Sequence, residues 1–152
     1  GLPGSITGIH FSSASTGYMV GGSGTFVKYQ SELEPEYQAS DLVFDEVYAN
    51  SMRLSYTASP DIPTGYLAIR KATSAPTTDP LDGIEYTVGQ TLGDGTVVFK
   101  GNSTSFSQTA LTAGVTYHYK IYAFNGSGNA INYKADQPLT GSEATYVTGA
   151  PW

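Results

Sequence analysis

Two histidines, His10 and His118, supply the imidazole groups that could act as a general base or a metal ligand. The chain has no cysteine, which excludes a thiolate nucleophile, a sulfur-ligated zinc ion and a disulfide. A Ser-His-Asp triad would combine one of these histidines with a serine, but serines are so abundant in this chain that a possible combination is no evidence for a triad. His118 lies on the polar side of an alternating, strand-like pattern, where exposure is the ordinary outcome. We therefore expect no catalytic residue and no enzyme.

Acidic side chains recur in the stretch Asp-Pro-Leu-Asp-Gly-Ile-Glu, residues 79 to 85. Asp79, Asp82 and Glu85 would offer oxygen ligands of the kind that calcium prefers, although their spacing does not follow the EF-hand pattern. The alternative is a solvated Asp-Gly turn. Calcium is thus the one cofactor that the sequence suggests, and otherwise we expect none.

Two aromatic residues, Tyr122 and Phe124, alternate along a strand-like segment and project to the face opposite Tyr119 and Ile121. If they are exposed, they form a contact platform for a sugar or for a neighbouring protein. The alternative is that an inserted loop or the N-terminal strands cover them. We favour the covered arrangement because large apolar patches are seldom left bare.

The composition limits the class of protein. The length of 152 residues suits one domain with a short additional segment, and 39% hydrophobic with only 13% charged residues favours a folded chain. A net charge of -6 argues against nucleic acid as a partner, and no apolar run is long enough to span a membrane. Eighteen glycines, eight prolines and twelve tyrosines are typical of short strands joined by turns, so we predict an all-β fold.

Turn residues divide the chain into parts. Three short strands are predicted in the first part, at residues 6–11, 18–20 and 25–29. Residues 30–40 are polar and contain a proline, so they read as a linker with a boundary near Tyr37. We divide the chain into an N-terminal β segment with its linker, residues 1–36, a main domain, residues 37–148, and a linker tail, residues 149–152.

The main domain shows regularly spaced alternating patterns. They predict strands at residues 42–48, 52–58, 65–72, 96–100, 104–109, 115–125 and 142–148, and near Tyr133. Residues 74–95 are rich in Thr, Pro, Asp and Gly and read as an inserted loop, with a short edge strand at residues 85–88. Such spacing favours a β-sandwich.

The segment Leu-Thr-Ala-Gly-Val-Thr-Tyr, residues 111 to 117, has the spacing of a tyrosine corner, in which the hydroxyl of Tyr117 bonds to upstream backbone. With Ala123 and Asn125 it resembles the Leu-x-Pro-Gly-Thr-x-Tyr motif of fibronectin type III domains, with Ala113 in place of proline. Residues 52–56, Met-Arg-Leu-Ser-Tyr, are similar to the family's strand B, with Tyr56 in place of the core tryptophan. The resemblance covers about residues 41–148, and the long insertion resembles variants in surface proteins of Bacteroidetes-type bacteria.

The resemblance implies an all-β, immunoglobulin-like (fibronectin type III-like) β-sandwich with a short N-terminal β segment. Strand C, residues 65–72, is apolar on both sides, so either side of it could face the core. Tyr117 would occupy the structural corner. The expected core consists of Val43, Leu54, Tyr56, Tyr119, Ile121 and Ala123.

The first part of the chain resembles something else. Phe11, Gly17-Tyr18, Val20-Gly21 and Gly24-Thr25, within residues 6–29, match one blade repeat of a sialidase-like or photosystem-assembly-factor-like β-propeller. A propeller needs several blades to bury its sheet faces. The segment is therefore either the last blade of a truncated propeller or a set of strands that packs on the sandwich.

These resemblances imply three functions. The first is a monomeric, non-catalytic spacer or interaction module of a larger secreted or cell-surface bacterial protein, whose partners are neighbouring domains of the same polypeptide. The second is a carbohydrate- or protein-binding adhesion module that uses Tyr122, Phe124 and the loop at residues 74–95. The third is a decoration or fibre module of a phage particle. The resemblance implies an extracellular or cell-surface location, although the first residues carry no signal-peptide pattern.

Overall fold

The computed structural model describes residues 6–13, 16–21, 26–30 and 33–149, with backbone alone before Leu33. These residues form twelve strands and one short 3-10 helix, Gly128–Ala130. The strands are β1 (Ile6–Ser13), β2 (Thr16–Gly21), β3 (Phe26–Gln30), β4 (Ser40–Asp45), β5 (Met52–Thr57), β6 (Gly65–Ala72), β7 (Thr91–Leu92), β8 (Gly95–Gly101), β9 (Ser105–Gln108), β10 (Thr116–Asn125), β11 (Asn132–Tyr133) and β12 (Leu139–Ala144). No helix in this part of the chain is long and apolar enough to cross a membrane.

Two antiparallel sheets form the main domain. The small sheet has the order β4-β5-β9, and the large sheet has the order β11-β10-β6-β8-β7, with β12 also paired to β10. Buried side chains from both sheets meet between them, so the domain is an immunoglobulin-like β-sandwich. This is the predicted fold class.

Alternation along β10 places one side of that strand in the sandwich. Tyr117, Tyr119, Ile121 and Ala123 are buried among residues of β5 and β6. They form, with their neighbours, what we call the inner core. Its buried members are Ala39, Met52, Leu54, Tyr56, Tyr66, Ala68, Leu111, Tyr117, Tyr119, Ile121 and Ala123. Five of the six predicted core residues are therefore confirmed.

The prediction for Val43 was wrong, because its side chain is 52% exposed. Leu42, Val43 and Phe44 are all apolar, so the local sequence does not indicate which of them faces inward. The β4–β5 ladder shifts register between Ser40 and Val43, and it pairs Phe44 with the fully buried Leu54. Phe44 rather than Val43 consequently packs on the inner core, with its ring 5.7 Å from that of Tyr119.

Strand β6 is apolar on both sides because both of its sides are buried. Tyr66 and Ala68 belong to the inner core, whereas Leu67 and Ile69 belong to a second cluster on the opposite face of the large sheet. A strand buried on both faces has no polar side to present. The sequence of β6 could not show which side faces the core because both sides are buried.

Residues 74–94, which we call the insert, connect β6 to β8. The expected edge strand at residues 85–88 is absent from them, and the short strand β7, Thr91–Leu92, pairs with β8 instead. The last predicted strand, 142–148, also lies earlier in the chain, as β12. Most of the insert therefore has no ladder hydrogen bonds. Isolated backbone bonds, from Gly83 N to the Ile131 carbonyl at 2.9 Å and from Gly89 N to the Val97 carbonyl at 2.8 Å, hold it in place together with side chains.

The three strands predicted before residue 30 are present as the antiparallel sheet β1-β2-β3. The register pairs Ile9 with Met19 and Met19 with Val27. The expected linker tail lies outside the described residues beyond Gly149, as do the side chains of the blade-like segment, including His10.

Candidate functional site

Tyr122 and Phe124 point away from the sandwich, as the alternation of β10 predicts, but they are not exposed. Tyr122 is 0% and Phe124 4% accessible, so the alternative in which the inserted loop covers them is correct. The suggestion that these two rings contact a ligand is corrected accordingly. In this conformation neither ring offers a face to a sugar or a protein.

The cover over these two rings comes from the insert and from the segment that follows β10. The insert supplies Tyr86 and Leu92, and the segment supplies Ile131 and Tyr133. The ring of Tyr133 lies 5.9 Å from that of Tyr86 and 5.7 Å from that of Phe124. We call this cluster the outer core. Its members are Leu67, Ile69, Tyr86, Leu92, Val97, Tyr122, Phe124, Ile131 and Tyr133.

Asp79 attaches the insert to β10. Its Oδ1 accepts hydrogen bonds from the Tyr122 hydroxyl at 2.5 Å and from Lys120 Nζ at 2.9 Å. Partial burial opposes ionisation of Asp79, but these two donors outweigh it and hold the pKa of the carboxyl below its ordinary value. Burial, followed by the neighbouring Asp79, raises the pKa of Tyr122. The phenol is therefore the proton donor of this bond and the carboxylate is its acceptor.

Glu85 and Asp82 attach the insert to other elements. Glu85 accepts from Lys100 Nζ and from the backbone N–H of Gly128, each at 2.6 Å, and the Lys100 bond is the main reason that its pKa is lowered. Asp82 Oδ1 accepts from the backbone N–H of Tyr133 at 2.7 Å. Each carboxylate thus links the insert to a different part of the outer face.

The calcium site expected at Asp79, Asp82 and Glu85 is not formed. Within residues 33–149 no group of three or more acidic, histidine or cysteine side chains is arranged to hold a metal ion. The three carboxylates are separated because each bonds to a different lysine or backbone donor. Their oxygens serve as acceptors for the protein itself.

A third acid–lysine pair, Asp94 with Lys71, lies at the C-terminal end of the insert. Lys71 Nζ is 2.7 Å from Asp94 Oδ2, and Oδ1 accepts from the backbone N–H of Thr77 at 2.9 Å. The Lys71 bond is the largest cause of the low pKa of Asp94. Sequence reasoning missed this pairing. The available signal was charge complementarity, since Lys71, Lys100 and Lys120 all lie in strands that flank or follow an acidic insert.

The segment before β4 is fastened to the sandwich rather than free, and sequence reasoning missed the residues responsible. Gln38 accepts from Ala123 N at 2.9 Å and donates to the Lys134 carbonyl at 2.6 Å. Asp61 accepts from Glu36 N at 2.6 Å, and the Asn125 amide donates to the Leu33 carbonyl at 2.9 Å. From Leu33 onward the chain is therefore attached to the domain.

The corner at Tyr117 has the expected geometry. The backbone N–H of Thr112 donates to the Tyr117 hydroxyl at 2.9 Å. The Arg70 guanidinium lies 5.1 Å from the centre of the Tyr117 ring. Burial raises the pKa of this phenol, but the bonds from Thr112 and the charge of Arg70 outweigh burial and leave the pKa below its ordinary value.

Large apolar side chains are exposed in three places besides Val43. One group lies where the chain joins the sandwich, another lies in the insert, and the third lies where the chain leaves. The three groups are Leu33, Tyr37 and Ile62; Leu81, Ile84 and Val88; and Tyr48, Tyr146 and Val147.

Comparison with known proteins shows the fold. Neither the family models nor the curated proteins match this sequence. Among solved structures, a computationally redesigned β-sandwich protein is 17% identical with a TM-score of 0.53, over 74% of this chain and 97% of that one. The domain of human fibronectin type III domain containing protein 3 is 14% identical with a TM-score of 0.51, over 80% of this chain and 95% of that one. The fold is fibronectin type III-like. A fibronectin type III domain from another human protein is 13% identical with a TM-score of 0.51, over 76% of this chain and 77% of that one.

Proposed function

We propose that this chain is a non-catalytic spacer and interaction module of a larger secreted or cell-surface bacterial protein. The observation that carries the proposal is the path of the chain through the sandwich. Ser40 pairs with Thr57 at the pole where β6 begins and β10 ends, whereas Ala144 pairs with Thr116 at the other pole. The polypeptide thus joins the domain at one pole, the N-terminal pole, and leaves at the opposite pole, the C-terminal pole.

The dimensions of the sandwich support a spacer. The ten residues of β10 run between the poles, and at about 3.3 Å per residue they span about 33 Å. Hydrogen bonds fasten the chain at both poles, through Asn125 and Gln38 at one and through Thr145 at the other. A neighbouring domain at either end would therefore be held at a defined separation.

The insert supports a stiff module. It buries Tyr86 and Leu92 against a sheet face that would otherwise meet water. Burying a large apolar side chain contributes about 1.5 to 3 kcal/mol, so the insert and the sheet stabilise each other. An insertion of this kind accords with the resemblance to surface-protein variants. The antiparallel meander β1-β2-β3 likewise accords with a propeller blade ahead of the spacer.

Pole-to-pole distance measurement tests the spacer. The chain has no cysteine, so Ile62→Cys and Val147→Cys place one label at each exposed pole. We expect one narrow distance distribution by electron–electron double resonance, and a broad distribution in native buffer would contradict a fixed separation. The same protein should sediment as a monomer. Reproducible hydrolysis of a panel of esters and glycosides would show an enzyme instead.

A second function, protein binding through the insert, is favoured by the exposed aliphatic side chains Leu81, Ile84 and Val88. Aliphatic groups suit a protein partner, whereas sugar platforms use aromatic faces, and the aromatic rings next to the insert, such as Tyr86 and Tyr122, are buried. A variant with all three changed to serine should lose partner capture, whereas the matched control Val43→Ser should retain it. Specific signals on a glycan array would favour a carbohydrate ligand over a protein.

A further inference from the structure

Asn125 is the last residue of β10, and with Gly126 it forms the one Asn-Gly pair of the sequence. An asparagine before a glycine is chemically labile, because glycine has no Cβ and leaves its backbone nitrogen open to the asparagine side chain. Asn125 is only partly buried, at the N-terminal pole of the sandwich. The pair therefore has the chemistry of a spontaneous deamidation site, which needs no enzyme.

Deamidation of such a pair proceeds through a ring. The nitrogen of Gly126 attacks Cγ of Asn125, and the bond from Cγ to Nδ2 breaks. The proton lost by the glycine nitrogen is balanced by the proton that Nδ2 gains when it leaves as ammonia. Water then opens the succinimide ring at either carbonyl and gives aspartate or isoaspartate. Nothing is oxidised or reduced, and water is the only co-reactant.

Three hydrogen bonds engage the groups that this reaction uses. The backbone N–H of Gly126 donates to Thr64 Oγ1 at 3.2 Å, so the attacking nitrogen is occupied. Asn125 Nδ2 donates to the Leu33 carbonyl at 2.9 Å, which fixes the leaving group. Asn125 Oδ1 accepts from the backbone N–H of Thr64 at 3.1 Å, which fixes the carbonyl under attack.

The two bonds to Thr64 act in opposite directions. Its backbone N–H would stabilise the negative charge that develops on Oδ1 when the nitrogen adds to Cγ, as the donors of an oxyanion hole do. Its hydroxyl holds the N–H of the attacking nitrogen, and the addition requires that bond to break first. The Thr64 hydroxyl therefore protects a site whose carbonyl is otherwise well placed to react.

Deamidation would change how the chain before β4 is attached. An ionised aspartate accepts hydrogen bonds but donates none, so it cannot replace the bond from Asn125 Nδ2 to the Leu33 carbonyl. The bond from the Thr64 N–H would survive and gain a charged acceptor. Conversion would thus release the chain at Leu33, whereas Glu36 N would remain bonded to Asp61.

We propose that Asn125 is a spontaneous deamidation site, protected by the Thr64 hydroxyl, whose conversion to aspartate or isoaspartate releases the chain at Leu33. The modification couples the covalent state of one side chain to the attachment of the polypeptide where it joins the sandwich. It also adds one negative charge at the N-terminal pole.

Incubation of the full chain at mildly alkaline pH, followed by peptide mass spectrometry that locates each new acid, tests the site. We expect conversion at Asn125 before Asn129 or Asn132. The rate should be at least about tenfold lower than in a synthetic peptide of residues 120–130, because three bonds restrain the folded pair. Thr64→Val removes the hydroxyl and should raise the rate about two- to tenfold, whereas Thr64→Ser keeps the hydroxyl and should match the wild type.

Three results would overturn this part of the proposal. Conversion at Asn129 or Asn132 ahead of Asn125 would reject the site. Equal rates for Thr64→Val and Thr64→Ser would reject the protecting role of the hydroxyl. A rate in the folded chain equal to that of the peptide would reject protection by the fold, and this comparison holds even if a Thr64 variant fails to fold.

Cleavage by chymotrypsin after Leu33 measures the release. The Leu33 side chain is 61% exposed, and the carbonyl of the bond to be cleaved is the group that Asn125 holds. Asn125→Asp should raise the rate of this cleavage about two- to tenfold. The matched control Asn129→Asp, which adds the same charge at a nearby exposed residue, should leave the rate unchanged. Equal cleavage in the two variants would show that deamidation does not release the chain.

Discussion

The two faces of the large sheet are buried in different ways. The inner face meets the small sheet, whose strands present alternating side chains such as Leu54 and Tyr56. The outer face meets the insert and the segment after β10, which are mostly without strands. Both faces include fully buried residues, for example Ile121 inside and Ile69 outside.

The difference shows how irregular chain can cover a sheet. A strand is held by its ladder of backbone hydrogen bonds, whereas the insert is attached by a few isolated backbone bonds and through Asp79, Glu85 and Asp94, each bonded to a lysine. Directional side-chain bonds fix the position of the cover, and the apolar cluster beneath it supplies most of the stabilisation. The inner core should therefore be the more rigid and the outer core the more adaptable.

The largest expected difference comes from truncating one isoleucine on each face. Ile121→Ala and Ile69→Ala remove the same groups from fully buried sites, and each should lower the free energy of unfolding by about 2 to 5 kcal/mol. We expect the larger loss for Ile121→Ala, because the insert can relax into the cavity left at Ile69. Urea unfolding measures both. A loss at Ile69 equal to or above that at Ile121 would refute the proposed adaptability of the outer core.

Removing one tyrosine hydroxyl from each face should have a smaller effect. Tyr117→Phe removes the acceptor for Thr112 N–H, and Tyr122→Phe removes the donor to Asp79. We expect losses of about 1 kcal/mol and about 1.5 kcal/mol respectively, since the second bond involves a charged acceptor that is partly exposed. Thermal unfolding gives the comparison, with Tyr146→Phe as an exposed control that should leave stability unchanged.

Acid should weaken the outer face more than the inner core. The lowered pKa values of Asp79, Glu85 and Asp94 mean that each carboxylate stabilises the fold above its ordinary pKa of about 4 and loses this contribution as pH falls through its folded pKa. Attachment of the insert should therefore be constant from about pH 7 to 5 and weaken below about pH 4. The effect should be modest because the carboxylates are mostly solvated.

Hydrogen exchange of peptides from the insert and from β5, corrected for the intrinsic rate at each pH, measures this acid effect. Protection in the insert should fall at acid pH before protection in β5. Equal losses in both regions would show that the two faces respond as one unit.

The smallest expected effect is the coupling between Lys120 and Asp79. Both side chains are partly exposed, so a double-mutant cycle with Lys120→Met and Asp79→Asn should give at most about 1 kcal/mol, decreasing with added salt. A cycle that pairs Lys120→Met with Asp136→Asn, an acid that bonds to Lys134 instead, serves as the control. A coupling unaffected by salt would indicate that packing rather than charge joins the insert to β10.

Much of the inner core could be predicted from the alternation of apolar and polar residues along single strands. The alternation of β10 placed Tyr119, Ile121 and Ala123 correctly, and the spacing from Leu111 to Tyr117 indicated the hydrogen-bonded corner. Period-two alternation is a direct consequence of strand geometry, so it can be read without knowing the partner strand. Val43 was misplaced because three successive apolar residues remove that alternation, and the register with β5 then decides.

The candidate site was less predictable. The sequence showed that Tyr122 and Phe124 share a side of β10, but whether that side meets water depends on where the insert lies. The acids of the insert suggested a metal, yet each is used by a partner distant in sequence, such as Lys120, 41 residues after Asp79. Composition in a loop does not specify such partners, because no periodicity relates a loop to the sheet beneath it.

Most strand positions, the sandwich class and the corner tyrosine follow from short-range features of the chain, whereas the strand expected at residues 85–88 is absent and the last strand lies earlier than predicted. Contacts between segments far apart in sequence bury the outer face and hold residues 33–39 against the domain. Such contacts also make three carboxylates, once candidate metal ligands, into hydrogen-bond acceptors for the protein itself. Those contacts depend on the assembled sheets, because the lysines and backbone groups that receive the insert are brought together by the fold.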